Sequence, residues 1–383
     1  MVTYPKDWTP MQLKDLGYIQ MCRRIFQSQT KEYGAIPFYK ISTFGGKADA
    51  YISQELYEQY KSLYPYPENG DILISAAGTV GKTVVFDGRD SYFQDSNIVW
   101  LKVDKNAIDR KFLWWFYRSY PWEALEGTTI QRLYNSIILK TEIHLPDKPE
   151  QEEIARTLSQ FDAYIDDLAE LIEKKKGIRD GALEELVRGT FTVDGQDLIW
   201  NETELNEVAF YRKGRTTSER SKYISTENMN QNFTGIEPYN GSEAITGCQF
   251  EKTDTLVANI RPYLKKIWFA NFSGCCSADV LVIRAKEGMD SRLLYYLLAN
   301  ERFVNYVMSG GVKGIKMPRG DKEYIMHYPV RVPVDKSEQA IIANSLAAMD
   351  EEIEALEIER DKMIQIREGA MDDLLTGRVR LSV

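Results

Sequence analysis

The sequence predicts an α+β protein in which two similar α/β domains are held apart by two long, paired helices. The strongest observation is an internal repeat: residues 150–189 align without a gap with residues 338–377, at an offset of 188 residues. A repeat of this size determines the architecture before any single motif does. Each copy follows a stretch with the same order of strands and helices, and the length of 383 residues fits two or three domains.

Both copies of the repeat are predicted to be helical. Neither copy contains proline, and Pro149 and Pro333 stand just upstream, where proline is compatible with the start of a helix. Gly189 and Gly377 stand where a helix would end. The positions that are identical in both copies are, numbered in the first, Glu150, Gln151, Ile154, Ala155, Leu158, Asp162, Ile165, Leu168, Lys174, Ile178, Arg179, Gly181, Ala182, Leu186 and Gly189.

Apolar residues along the two predicted helices alternate at spacings of four and three, which is typical of a narrow seam between paired helices. Forty residues make a helix about 60 Å long, and a single globular core does not need such a helix twice. The favoured interpretation is that the helices pair with each other, and the alternative is that each covers its own domain. The predicted pairing residues are Ile154, Leu158, Phe161, Ile165, Leu168, Ile172, Ile342, Leu346, Met349, Ile353 and Leu356.

The two domains show weaker similarity to each other than the helices do. Both contain a turn followed by a strand, at residues 70–75 and 253–258, and an aromatic-rich helix, at 109–117 and 290–298. Each domain closes on a strand that ends in proline. The predicted boundaries are 1–148 for the first domain, 149–190 for the first helical region, 191–335 for the second domain and 336–383 for the second helical region.

The composition is that of a globular protein, with 43% hydrophobic and 27% charged residues. No apolar run has membrane-spanning length and the N-terminal residues lack a hydrophobic signal region, so we expect a cytoplasmic location. Cys22, Cys248, Cys275 and Cys276 are too few and too irregularly spaced for a disulfide framework or a zinc site. The adjacent pair Cys275 and Cys276 is expected to pack within a strand.

The net charge of −9 is distributed unevenly along the chain. The two repeat copies hold 22 acidic and 9 basic residues, a net charge of −13, whereas the remainder holds 35 acidic and 39 basic residues, a net charge of +4. The acidity therefore belongs to the predicted helices, where it is either solvated or suited to docking a basic partner. The domains are mildly basic and remain compatible with nucleic acid.

One motif invites a catalytic interpretation. Residues 76–83 nearly match a phosphate-binding loop, but the β-branched and aromatic residues that follow predict a strand and not the required helix. The two histidines, His144 and His327, have no cysteine or carboxylate at ligand spacing. Asp162 and Asp350 are expected to be solvated on their helices. We therefore predict no catalytic residue and no metal site, with a phosphate-loop nucleotide hydrolase as the weaker alternative.

Basic clusters with interleaved polar and aromatic residues recur at equivalent loops of both domains, at 78–82, 127–135, 259–266 and 311–319. Lys and Arg suit contacts with phosphate, and Arg, Asn and Gln suit the edges of bases. An ordinary solvated loop is the alternative for each cluster taken alone. The candidate DNA-binding residues are Thr79, Lys82, Arg132, Tyr134, Asn135, Arg212, Arg215, Asn259, Arg261, Tyr263, Lys265, Lys266, Lys313, Lys316 and Arg319.

Together these features resemble a known family. The repeated motif Glu-Gln-x-x-Ile-Ala-x-x-Leu, the ending Leu-Leu-Thr-Gly-Arg at 374–378 and the strand Gly-Asp-Ile-Leu-Ile-Ser at 70–75 resemble the specificity subunit of type I restriction–modification systems. The resemblance covers nearly the whole chain. It implies that the domains are target-recognition domains, each reading one half of a split DNA target. It also implies that the helices pair antiparallel, relate the domains by a pseudo-twofold axis and set the gap between the half-sites.

The same resemblance implies the partners. They are double-stranded DNA, two modification subunits that methylate adenine with S-adenosylmethionine, and, in a complete system, restriction subunits that use ATP and Mg²⁺. This chain itself is expected to hold no cofactor, to catalyse no reaction and to bind no membrane. Two alternatives stay open: a specificity subunit of a related system in which restriction and modification are fused, and a coiled-coil adaptor that does not bind DNA.

Overall fold

The computed structural model describes residues 3–104, 106–122, 132–193, 195–310 and 318–381. The chain forms two compact units, one of Met1–Leu168 with Glu359–Val383 and one of Ala169–Ile358. Each unit contains one α/β domain and a portion of each of two long helices. The predicted α+β class with two similar domains is therefore confirmed.

The long helices span Lys148–Arg188 and Lys336–Leu375. Both begin two residues before the predicted repeat boundary, so that Pro149 lies inside the first turn, where its missing N–H is not needed. Gly189 and Gly377 follow the helix ends with φ of 70° and 69°, a left-handed conformation that glycine adopts without steric cost.

The first domain opens and closes on paired strands. Thr9–Gln12 pairs antiparallel with Glu142–Leu145. A four-stranded sheet has the order Gly17–Met21, Ile98–Val103, Ile72–Ser75, Thr83–Val85, and a three-stranded sheet has the order Ala50–Ile52, Ile36–Tyr39, Tyr92–Phe93. The helices of this domain are Leu13–Leu16, Gln54–Leu63, Arg110–Ser119 and Asn135–Lys140.

The second domain repeats this plan. Trp200–Glu204 pairs antiparallel with Pro329–Pro333. The first sheet has the order Ala209–Tyr211, Val280–Ala285, Thr255–Ala258, Ile267–Phe269, and the second has the order Arg215–Glu219, Ala244–Phe250, Gly274–Cys276, Tyr223–Ile224. The helices are Leu205–Val208, Ser291–Leu298, Glu301–Ser309 and Lys322–Met326, and a short hairpin joins Thr192–Val193 to Gln196–Asp197. Because corresponding strands occupy the same places in the first sheet of each domain, the internal repeat extends to the fold.

Within each unit the two long helices run antiparallel and both complete the core of the domain. In the first unit, Ile154 and Leu158 of the first long helix and Leu374 of the second join the cluster around Trp115. In the second unit, residues of both helices join the corresponding cluster; they are Leu183, Leu186, Ile342, Ala343 and Leu346. The two interpretations weighed from the sequence therefore both hold within each unit, because residues of both helices lie in one apolar cluster with the domain. Of the predicted pairing residues, Phe161, Met349 and Leu356 are half-buried and the others are buried.

A buried glutamine joins each domain to the start of the helix that follows it. Gln151 Oε1 accepts a hydrogen bond from the backbone N–H of Asp109 (2.9 Å), and its Nε2 donates to the carbonyl of Pro146 (2.9 Å). The repeat-equivalent Gln339 makes the same contacts with Asp290 (2.8 Å) and Pro333 (2.9 Å). Asp109 and Asp290 cap the aromatic-rich helices of their domains. The glutamine of the repeat therefore positions each domain helix on its long helix.

Replacing Gln339 by alanine is expected to lower the free energy of unfolding by about 2 kcal/mol, because a buried N–H and a buried carbonyl lose their partner. Denaturant unfolding of the purified chain measures this. Gln365→Ala, at an exposed position of the same helix, is the matched control and should change stability by less than about 0.5 kcal/mol. Equal effects of the two substitutions would contradict the anchoring role.

Candidate nucleic-acid interface

A tight hairpin loop joins two strands of the first sheet in the first domain, at residues 76–82. Ser75 holds it closed: its Oγ accepts from the backbone N–H of Lys82 (2.9 Å) and donates to the carbonyl of Thr79. As the sequence predicts, a strand follows this loop and not a helix, so the geometry of a phosphate-binding loop is absent at this site. Gly81 is required here, because its φ is 82° and a Cβ would lie 2.2 Å from Trp122.

The hairpin loop meets a second candidate segment. Ala77 forms an isolated β-bridge with Arg132, and the carbonyl of Ala76 accepts from the N–H of Leu133 (2.8 Å). The guanidinium carbon of Arg132 lies 5.9 Å from the ring centroid of Tyr134, which is 46% exposed. The structure therefore brings together five predicted residues, which we call the first loop cluster: Thr79, Lys82, Arg132, Tyr134 and Asn135. Lys82 Nζ donates to a backbone carbonyl, that of Phe44 (2.6 Å).

The second domain places an equivalent loop, residues 259–266, between its corresponding strands. Ile260 forms an isolated β-bridge with Arg319, and the N–H of Arg261 donates to the carbonyl of Pro318 (2.9 Å). Arg261 and Lys265 flank a single 3-10 turn, and both adopt left-handed φ, 52° and 56°. A left-handed conformation costs an L-residue about 1–2 kcal/mol, so the surrounding contacts hold this loop in one shape.

The side chains on and beside this loop differ in how strongly they are engaged by neighbouring residues. Arg261 is exposed and Tyr263 is 50% exposed. Arg319 is exposed and its Nη2 lies 3.0 Å from the carboxylate of Asp279. Lys265 forms an ion pair with Glu301. We call Arg261, Tyr263, Lys265 and Arg319 the second loop cluster.

Two residues predicted to contact DNA from residues 259–266 point elsewhere. Asn259 is 8% exposed, because it lies at the base of the loop, where its N–H donates to the carbonyl of Asp279 (2.8 Å). Lys266 is half-buried and its Nζ donates to the carbonyl of Thr226 (2.6 Å). Both residues shape the loop from beneath, and we leave them out of the proposed surface.

Arg212 belongs to a charge cluster beside the first sheet of its domain. Asp254 is fully buried; its carboxylate lies 2.6 Å from Arg284 Nε and 3.8 Å from Arg212 Nη1. The same two arginines also contact Glu251, and their hydrogen bonds lower the pKa of Glu251, with Arg212 as the larger cause. The first domain repeats the arrangement around buried Asp71, with Arg110 at 3.0 Å and Lys102 at 3.6 Å. Arg212 therefore neutralises a buried carboxylate, which its sequence context did not indicate.

The remaining candidates lie apart from these contacts. Arg215 is the exposed first residue of the strand Arg215–Glu219. Lys313 and Lys316 lie outside the described residues.

Cys275 and Cys276 are buried in the strand Gly274–Cys276, as the sequence predicts. His144 stacks on Tyr4 at 3.7 Å between ring centroids.

Within the described part of the chain, no group of three or more His, Cys, Asp or Glu side chains is placed to hold a metal ion. Across the same residues, no helix combines the length and the hydropathy of a membrane span. The cysteines are free thiols.

The fold defines a class of protein in which two similar α/β domains each pack on both of two long helices and each present a basic hairpin-loop cluster. The chain matches the family model for the type I restriction modification DNA specificity domain twice, over residues 5–176 and 199–364. It belongs to this family, whose members carry the DNA-recognition domains of type I restriction–modification systems. The resemblance drawn from the repeat and the strand motifs is thereby confirmed.

Two relatives and one solved structure are similar to this chain. A putative type I restriction enzyme specificity subunit of Haemophilus influenzae is 51% identical over 160 residues, which is 42% of each chain, so that match spans less than half of either protein. A putative type I restriction enzyme specificity subunit of Methanocaldococcus jannaschii is 23% identical over 98% of this chain and 95% of its own length. The crystal structure of a type I system S subunit from M. genitalium shares the fold, with a TM-score of 0.61, 18% identity and 96% coverage of both chains.

Proposed function

We propose that this chain reads a bipartite double-stranded DNA target, with each domain reading one half. The observation that carries the proposal is the recurrence of the loop cluster: in both domains, the same hairpin loop forms an isolated β-bridge with an exposed arginine, Arg132 in one and Arg319 in the other. Two domains of one fold that differ in the side chains of this loop are suited to reading two different sequences. Family membership supports DNA as the ligand and disfavours an adaptor that binds only protein.

The exposed side chains of the clusters fit the chemistry of a duplex. Arg132, Arg261 and Arg319 carry planar guanidinium groups that can form paired hydrogen bonds with the O6 and N7 atoms of guanine in the major groove. Lys82, unlike the half-buried Lys266, is exposed, and its ammonium group keeps two N–H donors besides the one given to the carbonyl of Phe44. These donors are suited to phosphate, which fixes the register on the duplex without reading sequence. The β-bridges of Arg132 and Arg319 order the backbone that carries these side chains, so binding a base edge would cost side-chain freedom but little backbone freedom.

The long helices, in this proposal, set the distance between the half-sites and dock two modification subunits. The repeat copies carry a net charge of −13, which suits a basic docking surface on a partner. The modification subunits would supply S-adenosylmethionine and adenine methylation, and restriction subunits would supply ATP hydrolysis with Mg²⁺. This chain would hold none of these cofactors and would act by recognition alone.

Methylome sequencing of a host that expresses this chain with its modification subunit tests the proposal. We expect a single split motif with methylated adenine in each half, separated by a fixed number of unspecified base pairs. A host that expresses the modification subunit alone is the control and should lack the motif. Methylation at an uninterrupted motif, or none that depends on this chain, would overturn the proposed function.

Arg261→Ala is expected to reduce methylation of the target about 5- to 160-fold and to relax the sequence requirement in one half-site only, since a paired arginine–base contact contributes about 1–3 kcal/mol of discrimination. Methylation rates on oligonucleotides altered in one half-site measure both effects. Lys252→Ala removes an equal charge from an exposed position outside the loop cluster and is the matched control. An equal loss of methylation in Arg261→Ala and Lys252→Ala would show that only the positive charge of Arg261 contributes.

A further inference from the structure

The hairpin loops of the two domains have left-handed residues at equivalent places: the third residue after the first strand and the second residue before the next strand. In the first domain these residues are Gly78 and Gly81, with φ of 68° and 82°. In the second hairpin loop (residues 259–266) they are Arg261 and Lys265, with φ of 52° and 56°. Glycine adopts this conformation freely, whereas a residue with a Cβ keeps it only where surrounding contacts hold it. The second loop therefore carries two long cationic side chains at positions that require support from neighbouring segments.

A turn at residues 231–234 supplies part of this support. The backbone N–H of Asn232 donates to the carbonyl of Leu264 (3.1 Å), and that of Phe233 donates to the carbonyl of Lys265 (2.9 Å). Both carbonyls lie at the C-terminal end of the single 3-10 turn in the second hairpin loop. The turn at 231–234 therefore holds the second hairpin loop through two backbone hydrogen bonds.

The turn has an uncommon residue at its centre. Asn232 and Phe233 both have left-handed φ, 54° and 62°, and the N–H of Thr234 donates to the carbonyl of Gln231 (3.2 Å). Turns with left-handed φ at both central residues favour the sequence Asn-Gly. Phenylalanine stands here where glycine is favoured, although a bulky side chain is costly in this conformation. The cost is offset only if the ring makes favourable contacts of its own.

The ring of Phe233 makes such contacts. It is half-buried and packs against the hydrophobic cluster that forms the core of the second unit. It lines a groove together with Leu183 and Val187 of the first long helix and Ala299 of the domain. Because the N–H of the same residue donates to the second hairpin loop, Phe233 connects that loop to the core.

A lysine adds a further attachment on the same side. Lys266 Nζ donates to the carbonyl of Thr226 (2.6 Å), in the segment that leads to the turn at 231–234. The first domain has the same contact: Lys82, which also stands immediately before the second strand of its hairpin, donates to the carbonyl of Phe44 (2.6 Å). The lysine contact therefore belongs to the plan that both domains share, and in the second domain the turn reinforces it.

We propose that Phe233 and Lys266 are positioning residues for DNA recognition by the second domain. They hold the second hairpin loop in the shape in which Arg261 and Tyr263 meet the half-site read by this domain. The inference rests on the proposed function. Arg261 directly precedes the 3-10 turn and Tyr263 lies within it, so a loop released at the end of this turn presents both side chains in several orientations. Loss of this preorganisation relaxes the discrimination between bases in one half-site only.

The test measures discrimination by the full chain together with its modification subunit, on duplexes that carry the split motif with one half-site or the other altered. Phe233→Gly removes the ring and keeps a backbone that glycine adopts without strain. We expect discrimination at the half-site of the second domain to fall about 10-fold, within the range that a paired arginine–base contact provides, and discrimination at the other half-site to stay parental. Phe233→Tyr keeps the ring and should retain parental discrimination at both half-sites.

Two further variants separate positioning from folding. Thr253→Gly replaces another left-handed residue, with φ of 76°, at the opposite end of the strand that leads into the second hairpin loop. It should leave discrimination at both half-sites unchanged. Lys266→Met removes the hydrogen bond to Thr226 and keeps an unbranched side chain, and it should relax the same half-site as Phe233→Gly. If thermal unfolding shows that Phe233→Gly does not fold, Lys266→Met decides the outcome.

Parental discrimination at both half-sites in folded Phe233→Gly and Lys266→Met would overturn the inference. Equal relaxation of both half-sites would also overturn it, because these residues would then act on folding alone. If the parental chain methylates no split motif, the proposed function itself fails, and amide hydrogen exchange decides the inference. Faster exchange of the N–H groups of Arg261 and Leu264 in Phe233→Gly would uphold the support of the loop, and unchanged exchange would refute it.

Discussion

Insertion of seven residues after Leu168 and another seven after Ile358 is expected to lengthen the spacer of the methylated target by at least one and at most about three base pairs, with both half-site sequences unchanged. These two positions are where the chain passes between the compact units. Seven residues of helix add about 10 Å and turn the helix by only about 20° less than two full turns, so the apolar seam stays aligned. The upper limit applies if the helices run parallel to the DNA axis.

The inserted segments are best copied from the chain itself. Duplicating residues 169–175 in the first helix and 352–358 in the second preserves the local pattern of apolar and charged positions. Insertion into the first helix alone is the matched control. It puts the two long helices out of register with each other and should therefore abolish methylation. An unchanged spacer in the doubly extended protein, with full methylation, would show that the helices do not determine the gap.

Asp254→Asn is expected to lower the free energy of unfolding by about 3 kcal/mol, the scale seen when one partner of a buried ion pair is removed. Asparagine keeps the shape of the side chain and can still accept from the N–H of Glu251, so the substitution isolates the charge. Arg212 and Arg284, whose side chains are 15% and 28% exposed, would lose the carboxylate that neutralises them in the sheet.

Denaturant unfolding measures this effect, and Glu251→Gln is the matched control. The Glu251 side chain is 40% exposed and contacts the same two arginines, so its neutralisation should cost less than about 1 kcal/mol. Asp71→Asn should reproduce the larger effect in the first domain, where Arg110 and Lys102 surround a carboxylate that is 1% exposed. Equal costs for Asp254→Asn and Glu251→Gln would mean that burial of the carboxylate is not the source of the stabilisation.

The parts of the fold that depend on neighbouring residues were predictable. The long helices follow from apolar periodicity, absence of proline and terminal glycines, all of which act within a few residues along the chain. The aromatic-rich helices begin after Asp109 and Asp290, whose side chains accept from their own first turns. The strand after the hairpin loop follows from its β-branched residues.

The candidate site was predicted only in part, because long-range contacts decide which basic residues are free. Arg261 and Arg212 look alike in sequence, yet Arg261 is exposed whereas Arg212 neutralises a carboxylate 42 positions further along the chain. Asn259 has the polarity of a base-reading residue but closes the base of its loop. The equivalence of Asp71 and Asp254 was the one signal that could have identified the charge clusters in advance.

The linear pattern of residues was enough to establish two helices with a shared apolar period, two domains of one plan and a family, because each rests on repetition that can be counted along the chain. Folding decided which charges meet. Asp162 pairs with Arg367, which is 205 residues away in sequence, and Asp350 pairs with Arg179, which is 171 residues away. No local spacing of residues predicts either ion pair. From the sequence alone, a carboxylate on a helix is predicted to be solvated. In the folded chain the antiparallel helix places a guanidinium beside it, and the energy of this pair depends on distance in space and not on separation in sequence.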